Sequence, residues 1–200
     1  MQYKNKICII LMLRKKESLW YINNFKKSFD KNVKIYFKYW YDKNLISFIK
    51  KNNISGIILS GSSDRVLDKT HKIAKIPHKL LNLNIPILGI CYGFQYLAKI
   101  LSGDKCIATF KTVNDKIKKY DKILSIYKPF IIKNIKYKFK HYDYVRCIPK
   151  NWIKILSYKK QIWMAYDKKR KIIGTQFHPE KYKLSRKMFF SNWIEYISKS

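Results

Sequence analysis

Acidic residues are scarce in this chain: 12 Asp and Glu stand against 44 Lys and Arg, for a formal net charge of +32. Arginine is scarce as well. Only five are present (Arg14, Arg65, Arg146, Arg170 and Arg186), so the positive charge is almost all lysine. Base-edge and bidentate phosphate recognition favour arginine. The lysines are also spread along the chain rather than gathered into one arm. This balance argues against a dedicated nucleic-acid site and leaves nonspecific adhesion to polyanions as the consequence of charge. The accompanying excess of Ile, Asn and Tyr fits a composition driven by an AT-biased genome.

Long hydrophobic runs are missing too, which excludes a membrane-spanning helix. Ile7-Cys-Ile-Ile-Leu-Met-Leu13 is short, and no small-residue cleavage site follows it. It reads as a buried first strand rather than a signal peptide. The four cysteines (Cys8, Cys91, Cys106 and Cys147) show no CxxC spacing. Neither a metal site nor a disulfide framework is therefore expected, and a reducing, cytoplasmic location is the default. Cys8 and Cys106 read as buried structural thiols. What is abundant is apolar content, 47% of 200 residues, enough for one folded domain spanning residues 1–200.

Glycine is rare, and its rarity makes its positions informative. Of six glycines, Gly56 and Gly61 bound the apolar run Gly56-Ile-Ile-Leu-Ser-Gly61, and Gly89 and Gly93 flank Cys91. Gly174 opens Gly174-Thr-Gln-Phe-His-Pro-Glu180, and Gly103 falls where a helix beginning near Phe94 would end. Glycine is favoured where the backbone needs positive φ or a close approach. Five of the six border three short segments, which points to those segments forming one site.

The first half alternates strand-like and helix-like segments. Strands are expected at Ile7–Leu13, Val33–Trp40, Gly56–Ser60 and Ile85–Ile90. Helices are expected over 17–30, carrying Leu19, Ile22, Phe25 and Phe29, over Asn44–Lys51, and in part over 68–82. Such alternation implies an α/β fold with a mostly parallel central sheet flanked by helices. From 105 to 178 the pattern turns to strand-like runs (Cys106–Lys111, Ile123–Tyr127, Tyr137–Arg146, Ile153–Tyr158, Gln161–Tyr166 and Lys171–Phe177), giving a smaller antiparallel β portion. A C-terminal helix follows over 184–198.

In Gly89-Ile-Cys-Tyr-Gly93 a cysteine lies between a buried strand and a helix. This is the form of a nucleophile elbow with Cys in place of Ser. Amides at the helix start favour a thiolate and can stabilise an oxyanion. A cysteine nucleophile needs a base. His71 and His78 sit in a lysine-rich stretch and read as surface residues. His178 follows an apolar strand, and Glu180 two residues on can fix its tautomer. Cys91, His178 and Glu180 thus make a candidate triad.

Leu59-Ser-Gly61, Gly89-Ile-Cys-Tyr-Gly-Phe-Gln95 and Gly174-Thr-Gln-Phe-His-Pro-Glu180 together resemble the class I, triad-type glutamine amidotransferases. The likeness covers nearly the whole chain. Tyr92 and Gln95, with His141-Tyr-Asp143, resemble the glutaminase part of GMP synthase in particular. The resemblance implies a flavodoxin-like amidotransferase fold and hydrolysis of L-glutamine to glutamate and ammonia through a Cys91 thioester, with no cofactor and no metal. It further implies an oxyanion hole from the amides of Tyr92 and of the loop at Gly61 and Ser62. Gln95 would help bind glutamine, and His141 and Asp143 would form the segment that holds its α-ammonium.

Two departures from the family pattern touch the substrate pocket. Gly61-Ser62-Ser63 stands where the family has Gly-Gly-Pro, and Lys140-His-Tyr-Asp143 where the branch often has Ser-His-Gly-Asp. They leave open a different γ-glutamyl amide as substrate, a weakened binding or regulatory module, or another amidotransferase branch. The likeness uses the chain from first strand to last helix, and no glycine remains for an ATP-binding loop. A separate ATP-pyrophosphatase (synthetase) subunit is therefore the expected partner.

Overall fold

The computed structural model describes residues 4–13, 17–68, 74–110 and 118–199. Its centre is a seven-stranded sheet in the order β2-β1-β3-β4-β11-β10-β9. The parallel part comprises β1 (Asn5–Leu11), β2 (Val33–Tyr39), β3 (Gly56–Leu59), β4 (Ile87–Ile90) and β11 (Ile172–Thr175). β9 (Ile153–Tyr158) and β10 (Gln161–Asp167) extend it antiparallel. Two further antiparallel pairs complete the strands: β5 (Ile107–Thr109) with β8 (Asp143–Val145), and β6 (Lys118–Ile126) with β7 (Ile132–His141).

The central strands are buried on both faces because alternate side chains feed two separate cores. Ile7, Ile9 and Leu11 face one layer with Phe25 of α1 (Ser18–Lys26), the β6–β7 hairpin, and Phe189, Phe190 and Trp193 of α4 (Lys183–Ser198). Cys8 and Ile10 face the other with Leu45 and Ile49 of α2 (Leu45–Lys51), and with Phe94 and Leu97 of α3 (Tyr92–Ser102). Gly103 ends α3 at φ 85°, as its place in the sequence leads one to expect.

Several expectations change. Over 68–82 the described residues hold only a short 3₁₀ turn, His78–Asn82, after Pro77; residues 69–73, including His71, lie outside the described residues. His78 is exposed, as expected. Leu19 of α1 points to solvent, 67% exposed, so the buried face of that helix is narrower than its apolar spacing implies. The run Tyr137–Arg146 is two strands, parted at Tyr142, with different partners.

The cysteine reading is corrected as well. Cys106 and Cys147 are joined in a disulfide. The β5–β8 pairing sets Ile107 opposite Val145, which brings the residue before β5 near the segment after β8. A contact made by that pairing leaves no trace in local spacing. Cys8 is the inert thiol expected: it is fully buried, and burial pushes its pKa up to about 12.

This topology positions the site. β3, β4 and β11 are parallel neighbours, so their C-terminal ends lie side by side at one edge. Each leads into one of the three glycine-marked segments. Open α/β sheets place ligands outside the carboxyl ends of their strands for this reason.

Candidate active site

Cys91 follows the last residue of β4 and precedes the first of α3. Its backbone sits at φ 50°, ψ −102°, a conformation that costs a non-glycine residue about 1–3 kcal/mol. Its amide donates to the Thr175 carbonyl at 2.7 Å, and its carbonyl accepts from Gln95 N at 3.0 Å, so both sides of the turn are fixed. The flanking glycines are required by contact. A Cβ on Gly93 would lie 2.4 Å from the Leu59 carbonyl oxygen, and one on Gly89 would lie 2.9 Å from the backbone of Gly93 and Phe94. The chain therefore doubles back too tightly for any side chain there. α3 begins with amides that lack intrahelical partners, directly beside the sulfur.

The thiol donates to the Lys140 carbonyl at 3.6 Å, and Gln176 Nε2 donates to the sulfur at 3.6 Å. Across the edge, His178 is buried, with its amide on the Lys138 carbonyl at 2.8 Å. Its Nδ1 pairs with Glu180 Oε1 at 2.7 Å, and Glu180 is fully buried. Nε2 makes no hydrogen bond among the described residues. Glu180 and Cys91 both act on the ring electrostatically. Burial alone would lower the His178 pKa. The charge of Glu180, then that of Cys91, outweigh burial and raise it to about 10. The imidazole is thus held as imidazolium, ready to give a proton.

Asp143 opens β8 with its side chain fully buried. Its Oδ1 accepts from Thr109 Oγ1 at 2.7 Å and from Arg65 Nη2 at 3.2 Å, whereas Oδ2 has no partner among the described residues. Two buried side chains converge on its backbone: Gln95 Nε2 donates to the Asp143 carbonyl at 2.5 Å, and His141 Nδ1 pairs with the same oxygen at 3.0 Å. A cavity of about 20 Å³ lies here, lined by Ser62, Arg65, Cys91, Gln95, His141 and Asp143. A larger one, about 460 Å³, opens beside it against His178, Trp20 and Tyr21, with Lys119, Lys140 and Lys181 among its lining residues.

The loop after β3 borders both cavities through Ser62. Gly61 packs on the His178 ring, where an added Cβ would sit 3.0 Å from Cε1. Ser62 is not among the non-glycine residues at positive φ; its Oγ instead accepts from Asp64 N at 3.1 Å. Ser63 Oγ donates to Glu17. The Tyr92 hydroxyl accepts from Ala74 N at 3.2 Å, and its ring packs in the core layer of α2 and α3.

The structure therefore brings Cys91, His178 and Glu180 to one edge, with Gly61, Ser62, Gln95, His141 and Asp143 around them. Lys140 stands where a small residue is usual. Its carbonyl accepts from Cys91, and the exposed residue borders both cavities. Sequence reasoning assigned no role to Gln176, Thr109 or Arg65. Gln176 stood inside a motif already singled out, and its neighbour His178 was the available signal. Thr109 and Arg65 meet Asp143 only through the fold.

His141 carries an acid-stability prediction. Burial, aided by the positive His178, lowers its pKa to about 4, although the hydrogen bond to Asp143 works the other way. The folded pKa lies below the unfolded value of about 6.5, so the stabilising effect is complete above about pH 6.5 and is lost as pH falls towards 4. The loss expected across that window is about 3 kcal/mol. Urea denaturation of the parent and of His141→Gln at pH 7 and pH 4 measures it; the variant should lose less over the same interval.

Known proteins resemble this chain in the same way. The pattern of the family described as "Glutamine amidotransferase class-I" matches residues 21–195. The GMP synthase [glutamine-hydrolyzing] of Wigglesworthia glossinidia brevipalpis is 40% identical over 140 residues, covering 65% of this chain and 26% of that protein. That of Prochlorococcus marinus (strain MIT 9312) is 37% identical over 144 residues, covering 68% and 26%. The chain thus spans about a quarter of the length of these relatives. Among solved structures, a putative GMP synthase subunit from Thermoplasma acidophilum aligns with a TM-score of 0.71 at 20% identity, over 98% of this chain and 94% of that one. A glutamine amidotransferase from Thermotoga maritima aligns at 0.58 and 20%, over 98% and 83%. The likeness at 20% identity bears on fold alone; with the match over residues 21–195, the chain belongs to the class-I glutamine amidotransferase family.

Proposed function

We propose that this protein hydrolyses L-glutamine to glutamate and ammonia and delivers the ammonia to a synthetase of the GMP synthase type. One observation carries the reading: a strained cysteine at a strand–helix turn shares a sheet edge with a buried His178–Glu180 pair, in a chain of this family. The Cys91 thiol gives its proton to His178 Nε2, and the resulting thiolate attacks the side-chain amide carbon. The carbonyl oxygen gains negative charge and is met by the amides of Tyr92 and Ser62. His178 passes its Nε2 proton to the amide nitrogen, the C–N bond breaks, and ammonia leaves. A γ-glutamyl thioester remains on Cys91. Water then adds to it, giving up a proton to His178, and glutamate departs as the sulfur is released.

In this reading Glu180 fixes the tautomer of His178 and stabilises its charge. Asp143 receives the α-ammonium group, for which its buried carboxylate is suited. Gln95 and His141 act chiefly by holding the Asp143 backbone in place. The reading also carries a cytoplasmic location, since Cys91 works only as a reduced thiol. The Cys106–Cys147 bond is the observation that stands against a reducing compartment.

Ammonia released to bulk water is protonated and lost, which favours an acceptor docked over the site. We assign that role to a separate ATP-pyrophosphatase subunit, meeting this chain near the elbow and the His178 loop. The chain's match to about a quarter of each glutamine-hydrolysing GMP synthase is the support for that class of partner. Docking would reorder the Ser62–Arg65 loop, so turnover by the free chain should be low and rise in the complex. Glutaminase turnover, measured with and without a candidate ATP-pyrophosphatase carrying XMP and ATP, tests this. Equal turnover together with no association at low salt rejects the partner.

A further inference from the structure

Ammonium recognition requires a carboxylate free to receive it, and in this structure that carboxylate is already taken. Arg65 reaches from the loop after β3 into the pocket and places Nη2 3.2 Å from Asp143 Oδ1 and 2.9 Å from Thr109 Oγ1. Its guanidinium carbon lies 5.6 Å from the centre of the Tyr142 ring. The cavity left beside it, about 20 Å³, holds one or two waters and not an amino acid.

The contact is poised rather than saturated. Arg65 Nε and Asp143 Oδ2 are both buried and both lack a hydrogen-bond partner among the described residues, so the pair meets through one donor instead of a bidentate fork. Behind it the chain is anchored: the Val66 carbonyl accepts from Lys99 Nζ at 2.9 Å, and Val66 is fully buried. Ahead of it, Gly61 is wedged against His178. The movable stretch is therefore Ser62–Arg65. Among the described residues its ties, besides the Arg65 guanidinium contacts, are Asp64 N to Ser62 Oγ within the stretch, Asp68 N to the Arg65 carbonyl at 3.2 Å at its end, and Ser63 to Glu17 outward.

We propose that Arg65 is a built-in competitor for the substrate's ammonium group: its guanidinium occupies the cation position at Asp143 and must withdraw before an α-amino acid amide can seat beside Cys91. The inference rests on the reading of Asp143 as the ammonium receptor. Exchange of one cation for another at a buried carboxylate conserves charge, so the pocket never exposes Asp143 unpaired during substrate entry. Arg65 thereby sets the apparent affinity and selects ligands that bring a positive charge of their own. An amide without an α-ammonium group would have to leave Asp143 buried and uncompensated.

The test uses the full chain and the variants Arg65→Gln, Arg65→Lys and Asp143→Asn. KM and kcat are measured for L-glutamine. Cys91 alkylation is followed by mass with 6-diazo-5-oxo-L-norleucine, which carries the α-ammonium group, and with iodoacetamide, which does not. Arg65→Gln should lower KM about tenfold while changing kcat less than about twofold, and should speed the diazoketone by a similar factor. Arg65→Lys, which keeps a cation, should fall between. Iodoacetamide labelling should change little. An unchanged or raised KM in Arg65→Gln overturns the proposal, the raised value assigning Arg65 to substrate holding instead. Equal acceleration of both alkylators also overturns it, since Arg65 would then only cover the sulfur. If Asp143→Asn retains the parent KM, the ammonium reading itself fails, and that result is separable from the Arg65 result.

Discussion

Replacing Cys91, the proposed nucleophile, by alanine should lower the proposed glutamine hydrolysis by about four orders of magnitude or more while leaving the fold intact. The magnitude follows from removing a nucleophile that works as a unit with its base, which leaves only binding and the oxyanion amides to act. Cys91→Gly should go further in one respect. Cys91 is held at φ 50°, where a side chain is strained and glycine is not. Glycine there should abolish activity and also raise stability by about 1 kcal/mol, the strain released being partly offset by a more flexible unfolded chain and a small void. Urea midpoints of parent, Cys91→Ala and Cys91→Gly provide the comparison. Alanine shares the strain, so the gain should appear with glycine alone. A glycine variant less stable than the alanine variant would mean that the elbow is not under strain.

The central architecture is legible in the sequence because glycine is so rare in this chain. Gly89 and Gly93 are forced by the approach of Leu59 and of the α3 backbone, and their spacing alone marks the elbow. The parallel strands β1, β3, β4 and β11 declare themselves as apolar runs because each is buried on both faces, whereas β2 at the sheet edge is only half-buried and carries two lysines. Other features lie beyond local pattern. Arg65 and Asp143 are 78 residues apart, and their contact exists only because the β3 loop and β8 meet at one edge. Cys106 and Cys147 are 41 residues apart and are brought together through the β5–β8 pairing, although spacing argued against any disulfide. Leu19 keeps the helical spacing of a core residue yet faces water, since a short helix on a sheet buries only a narrow stripe. The break between β7 and β8 at Tyr142 leaves no signal in a run of β-prone residues.

The second large effect concerns Glu180. Its charge is the leading influence that raises His178 against the lowering effect of burial. Because the folded pKa of His178, about 10, lies above the unfolded value of about 6.5, its stabilising contribution is complete below about pH 6.5 and is lost as pH rises through about 10. Glu180→Gln keeps the shape and removes the charge. Burial then dominates, the ring becomes neutral at working pH, and the proton that the proposed reaction gives to departing ammonia is gone. Turnover at pH 8 should fall about 10²- to 10³-fold, with the alkaline limb of the pH–rate profile moving from near 10 to below neutrality. An alkaline limb that stays in place in the variant would show that Glu180 does not govern the proton on His178.

The proposed hydrolysis runs through a covalent bond between Cys91 and the γ-carbonyl of glutamine. The direct measurement is acid quenching of the full chain during turnover of L-glutamine, followed by peptide mass mapping before and after hydroxylamine. The expected result is a γ-glutamyl adduct confined to the Cys91 peptide, removed by hydroxylamine and absent from Cys8. Ammonia release with no adduct on Cys91, or with an adduct on another residue, would contradict it.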